Sequence, residues 1–159
     1  MKAASVREIK YELGTKSLKE LMELCLMMSK FKKENKELLT YLLFEAEDEH
    51  AFVESIKREV DDLFEEINIA SYYYIRKRAR KILIHIKKHI RYSKKKETEI
   101  ELLIYYCQKL RKIKPPIWNY VALKNIYERQ IAAIQKSIST LHEDLQIDYE
   151  SDLEELLDY

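Results

Sequence analysis

The sequence predicts an all-helical protein, and three observations carry that prediction. Among 159 residues there are one glycine and two prolines, too little turn vocabulary for a β-sandwich or a multi-stranded sheet. Glu, Lys, Leu and Ile dominate instead, at helical spacing. Ser-x-x-Glu capping boxes stand where helices should begin. The architecture expected is a compact bundle or superhelix of about seven helices over residues 1–142, followed by an acidic tail, 143–159.

Ser5-Val6-Arg7-Glu8 opens a first helix of about Ser5 to Leu13, which Gly14 is placed to close. Ser17-Leu18-Lys19-Glu20 repeats the capping box and starts a second helix running to about Ser29. The lysine-rich stretch Lys30 to Lys36 reads as a turn, and Glu37 to Ala46 as a third helix. A fourth, about Asp48 to Ile67, carries the stripe Val53, Ile56, Val60, Leu63, Phe64 and Ile67 of one buried face. After a break at Asn68 to Ser71, a fifth helix of about Tyr72 to Tyr92 is expected to bury Tyr72, Ile75, Ala79, Ile82, Ile86 and Ile90. A sixth covers about Thr98 to Ile113, stopped by Pro115-Pro116, and those prolines suit the opening of a seventh that ends near His142. In the tail, Ser151-Asp152-Leu153-Glu154 is one more capping box, so a short terminal helix is expected.

Ser29 to Leu43 ("SKFKKENKELLTYLL") and Ser93 to Cys107 ("SKKKETEIELLIYYC") share seven of fifteen residues at an offset of 64. The register extends upstream, where Leu18, Met22 and Leu26 fall on Ile82, Ile86 and Ile90, and downstream to Ile67 on Ile131. A three-helix unit used twice, over 17–67 and 81–131, explains this. The alternative is chance likeness, because Lys/Glu/Leu helices imitate one another. The opening phrase "VREIKYELGTKSLKELMELCLMMSKFKKENKELLTYL" also resembles small uncharacterised bacterial all-helical proteins. They share its short first helix, its S-x-x-E-L start and its K-x-x-K-E turn. The resemblance covers about a quarter of the chain and implies no activity.

The net charge of +1 conceals strong segregation. Residues 68–114 hold 15 Lys/Arg against three Glu, residues 45–67 ten acids against two bases, and residues 143–159 eight acids and no base. On the fifth helix Arg76, Arg80, Lys87 and Arg91 line one ridge, with Lys77, Lys81 and Lys88 beside it. Such a face can track phosphates, with Tyr73 or Tyr74 available to stack on bases. It carries no recognisable readout motif. The competing expectation is internal neutralisation, with Glu54, Asp61, Glu65 and Glu66 pairing with part of the ridge and the tail covering more of it. A membrane-surface role is disfavoured, because the core claims the apolar stripe of that helix.

Chemical motifs are sparse. His85 and His89 have the i, i+4 spacing of two metal ligands, but no flanking Glu-x-x-His pair accompanies them, so all four histidines are read as surface or boundary residues. Glu47 and His50 form one Glu-x-x-His at a helix start, where acids are common anyway. Cys25 and Cys107 fall on apolar helix faces and are expected to be core hydrophobes in a reducing cytoplasm. No phosphate-cradling loop exists without glycines. No export segment opens the chain, and Leu24 to Met28 is too short to span a bilayer. The sequence therefore predicts a non-enzymatic, cytoplasmic interaction module without cofactor, metal or small-molecule substrate. It would bind a protein partner or associate with itself, head-to-tail or two-fold, and the alternative is a nucleic-acid-binding protein.

Overall fold

The computed structural model describes residues 1–158, in which there are nine α-helices and no strand. The chain falls into two compact units, Met1–Phe44 and Glu45–Tyr159.

The first unit holds α1 (Val6–Gly14), α2 (Leu18–Phe31) and α3 (Lys33–Thr40), the last continuing into a π-helical turn at Tyr41–Glu45. Two of the three predicted capping boxes form: Ser5 and Ser17 each accept from the backbone N–H of the N3 glutamate, whose carboxylate reaches back to the cap N–H. The third does not, because Ser151 lies inside the last helix, Glu150–Leu157, which follows Tyr149 without a side-chain cap. Gly14 does not close α1 through a left-handed turn, since no glycine has positive φ. Thr15 caps the helix instead, its Oγ1 donating to the Glu12 carbonyl at 2.8 Å. The expected turn over Lys30 to Lys36 shrinks to the single extended residue Lys32. Asn35 makes that sharp break workable by donating from Nδ2 to the Met28 carbonyl, 2.8 Å away. None of the three helices buries a residue.

The second unit holds α4 (Glu49–Glu65), α5 (Tyr72–Ser93), α6 (Lys96–Arg111), α7 (Val121–Ile138), α8 (Glu143–Ile147) and α9 (Glu150–Leu157). Its centre is α6, packed by α4, α5, α7 and α9. The run Ile100, Leu102, Leu103, Ile104, Tyr106, Cys107, Leu110 is buried around almost the whole circumference, as befits a helix enclosed on all sides. Burial pushes the Cys107 thiol up to about 12, so it behaves as a core hydrophobe, as expected. Tyr106 and Tyr127 are fully buried and each finds a carbonyl: Ala79 at 3.1 Å and Leu156 at 2.7 Å. The prolines end α6 but do not open α7. A 3₁₀ turn at Ile117–Asn119 intervenes, with Ile117 buried, so α7 starts at Val121 and ends at Ile138. Lys94, at φ 59°, supplies the left-handed residue that closes α5.

At one aligned pair of the offset-64 likeness, burial differs. Leu102 is fully buried in the second unit, whereas its counterpart Leu38 is half-buried in the first.

A polar link joins α4 to α6. Burial alone would raise the pKa of Asp61, but hydrogen bonds from Lys109 and Tyr105 outweigh it and hold the carboxyl below its ordinary value. A carboxylate with a lowered folded pKa stabilises fully above its unfolded value, 3.8, and the contribution fades as pH falls through the folded value. Urea melts of Asp61→Asn should therefore lose less stability than the parent chain between pH 5 and roughly pH 2. Parallel acid limbs in the two proteins would show that the link contributes nothing to pH dependence.

Candidate functional site: two interaction surfaces

Large apolar side chains are distributed very unevenly. Among the described residues, 25 of 26 buried hydrophobics belong to the second unit and only Tyr41 to the first. Of the 22 exposed large hydrophobics among them, 14 lie within the first 44 residues. The reason is local. Helix α2 reads LKELMELCLMMSKF, with apolar groups on nearly every side, and only α1 and α3 within its unit are available to cover them. Leu18, Met22 and Leu26 form a stripe at 76, 58 and 52% exposure. With Leu21, Cys25, Leu39 and Leu43 they line a groove of about 390 Å³ between α2 and α3. A second apolar groove lies between Leu13, Met28, Leu38 and Leu42. Cys25 lines both and is exposed, which corrects its reading as a core residue. Within its own unit, its helix has no second layer on that side.

The second surface is the basic side of α5. Lys77, Arg80, Lys81, Lys87 and Arg91 are exposed, and Arg76 and Lys88 half-buried. The acids of α4 neutralise α5 only in part, at Arg78 and His85. Glu54 pairs with Lys57 on its own helix, Asp61 with Lys109, Glu66 with Arg78 and Glu59 with His85. Among the described residues, none of Arg76, Lys77, Arg80, Lys81, Lys87 and Arg91 takes part in an ion pair. The acidic tail lies elsewhere too. Helix α9 packs on α6 and α7, with Leu156 fully buried and Arg111 donating to the carbonyls of Glu155 and Asp158. Leucines set that docking, and the acids follow them. At the N-terminal end of α5, Tyr73 and Tyr74 are half-exposed and meet edge-on, with centroids 5.4 Å apart. The Arg76 guanidinium lies 5.9 Å from the Tyr73 ring centre. Beside them, Tyr74, Lys77, Lys81, Asn68, Arg78 and Glu66 line a shallow groove of about 270 Å³.

No helix among the described residues is long and apolar enough to cross a membrane. No family model, curated protein or solved structure matches the chain.

Proposed function

We propose that the protein is a non-catalytic helical interaction module whose first unit docks on a second copy of the same chain. The observation that carries this reading is the concentration of exposed apolar side chains on α1–α3. Contiguous apolar surface of this kind marks association sites. The packing favours a second copy as occupant: α2 packed on α3, with a long apolar side open, is half of a four-helix bundle that an isologous two-fold contact would complete.

Cys25 is a built-in reporter, because the only other thiol, Cys107, is buried. Its labelling by a maleimide should slow several-fold as protein concentration rises from nanomolar to tens of micromolar. A rate independent of concentration would contradict the proposal.

A second reading, polyanion binding by α5, is favoured by the open, unpaired state of Arg80, Lys87 and Arg91. A duplex-DNA probe would then bind with a log–log salt slope of roughly −0.9 per phosphate neutralised. Replacing these three residues with Glu should abolish binding at unchanged helix content. A triple variant that binds as tightly as the parent chain would remove this reading.

A further inference from the structure

One side-chain cluster belongs to neither surface. Where α4 faces α5, a carboxylate oxygen of Glu59 and one ring nitrogen each of His85 and His89 lie within 4.8 Å of one another. We propose that these three residues form a binding site for a divalent late first-row transition ion, zinc foremost.

The two histidines sit one turn apart on α5, ring centroids 4.5 Å apart, as two ligands on one helix must be. His89 is set for its role by the backbone. Its Nδ1 lies 2.9 Å from the His85 carbonyl, which can only accept, so Nδ1 carries the proton and Nε2 keeps its lone pair. A ligating histidine is commonly oriented by this kind of outer hydrogen bond. Phe52 and Tyr92 flank the ring at 6.0 and 5.6 Å between centroids and fix its position.

His85 supplies a separate observation. Its Nε2 is buried and has no hydrogen-bond partner, although Glu59 Oε2 is only 2.8 Å away. The two atoms are close but misaligned for a hydrogen bond. A cation between them would satisfy both without that alignment. Tetrahedral zinc with bonds of 2.0–2.2 Å holds its donors about 3.4 Å apart, so side-chain rotations suffice to close the set. Two imidazoles and one carboxylate suit zinc and its neighbours, whereas magnesium and calcium need oxygen donors. Glu59 and His85 are partly exposed, so solvent water can complete the coordination. The ion would clasp α4 to α5.

The test uses the full chain with zinc in calorimetry and cobalt as a visible-spectrum probe. One equivalent of zinc should bind with a dissociation constant of micromolar or lower, and cobalt should show the intense absorption of low coordination number. Because His89 is buried and His89→Ala is at risk of unfolding, Glu59→Gln and His85→Ala are the decisive variants. Each should weaken zinc binding at least fivefold with the circular dichroism of the parent, while His50→Ala leaves affinity unchanged. No saturable binding below 100 µM, or a loss smaller than fivefold in Glu59→Gln and His85→Ala, would overturn the assignment.

Discussion

Leu102→Ala is expected to destabilise the second unit by about 2–5 kcal/mol, while Leu38→Ala, its counterpart at offset 64, costs less than about 1.5 kcal/mol. Leu102 is fully buried on the central helix, where truncation leaves a cavity that neighbours on α4, α5 and α7 fill only in part. Leu38 lies half-buried beside an open groove, where water replaces the lost methyl groups. The single tryptophan, Trp118, reports on the second unit, its ring packed edge-on against buried Tyr127 at 5.0 Å. Urea unfolding followed by its fluorescence should show a large drop in midpoint for Leu102→Ala, and unfolding followed by far-ultraviolet circular dichroism, which reads the helices of both units, almost none for Leu38→Ala. Equal losses would restore the two positions to equivalence and revive a packed internal repeat.

The double substitution Met22→Glu/Leu43→Glu is expected to weaken self-association by more than 100-fold. Both side chains line the α2–α3 groove, and they are 58 and 62% exposed, so the isolated chain loses little by the change. In a dimer built on that groove, each substitution would carry a carboxylate into an apolar interface with no partner to pair it. Two substitutions per chain count four times in a two-fold assembly. Val121→Glu, at a site 72% exposed in the second unit, is the matched control and should leave association unchanged. Light scattering across a concentration series separates these outcomes, with circular dichroism confirming that helix content is kept.

Much of the local structure was legible because its signals are local. The capping boxes at Ser5 and Ser17 involve only residues three apart, and both form as written. The stripe Val53, Ile56, Val60 specified the buried side of α4 in the same way. What a stripe cannot say is which unit will cover it. Leu18, Met22 and Leu26 align with Ile82, Ile86 and Ile90 in sequence, yet Ile82 and Ile86 are fully buried while the α2 residues face water. Chance likeness between Lys/Glu/Leu helices is enough to produce such an alignment without shared packing.

The surfaces were half legible. The basic ridge was evident from charge alone, but its openness was not, because acids near in sequence were expected to cover it. Asp61 instead turns to α6, and the tail is steered by Leu156 into the core. His89 is buried and not a surface or boundary residue, and it lies three residues after Ile86 in the buried stripe Ile75, Ala79, Ile82, Ile86. That spacing was the available signal. Glu59 could not be assigned to it from sequence, since the third member of the cluster comes from a different helix and only the α4–α5 pairing brings it near.

Sedimentation equilibrium of the unmodified chain between about 1 and 50 µM tests the central claim most directly. The account predicts a mass approaching twice 19.2 kDa at the upper end and a reversible fall on dilution. A constant mass of 19.2 kDa across that range would show that the apolar side of α1–α3 does not bind its own copy, and the account of the first unit would fail.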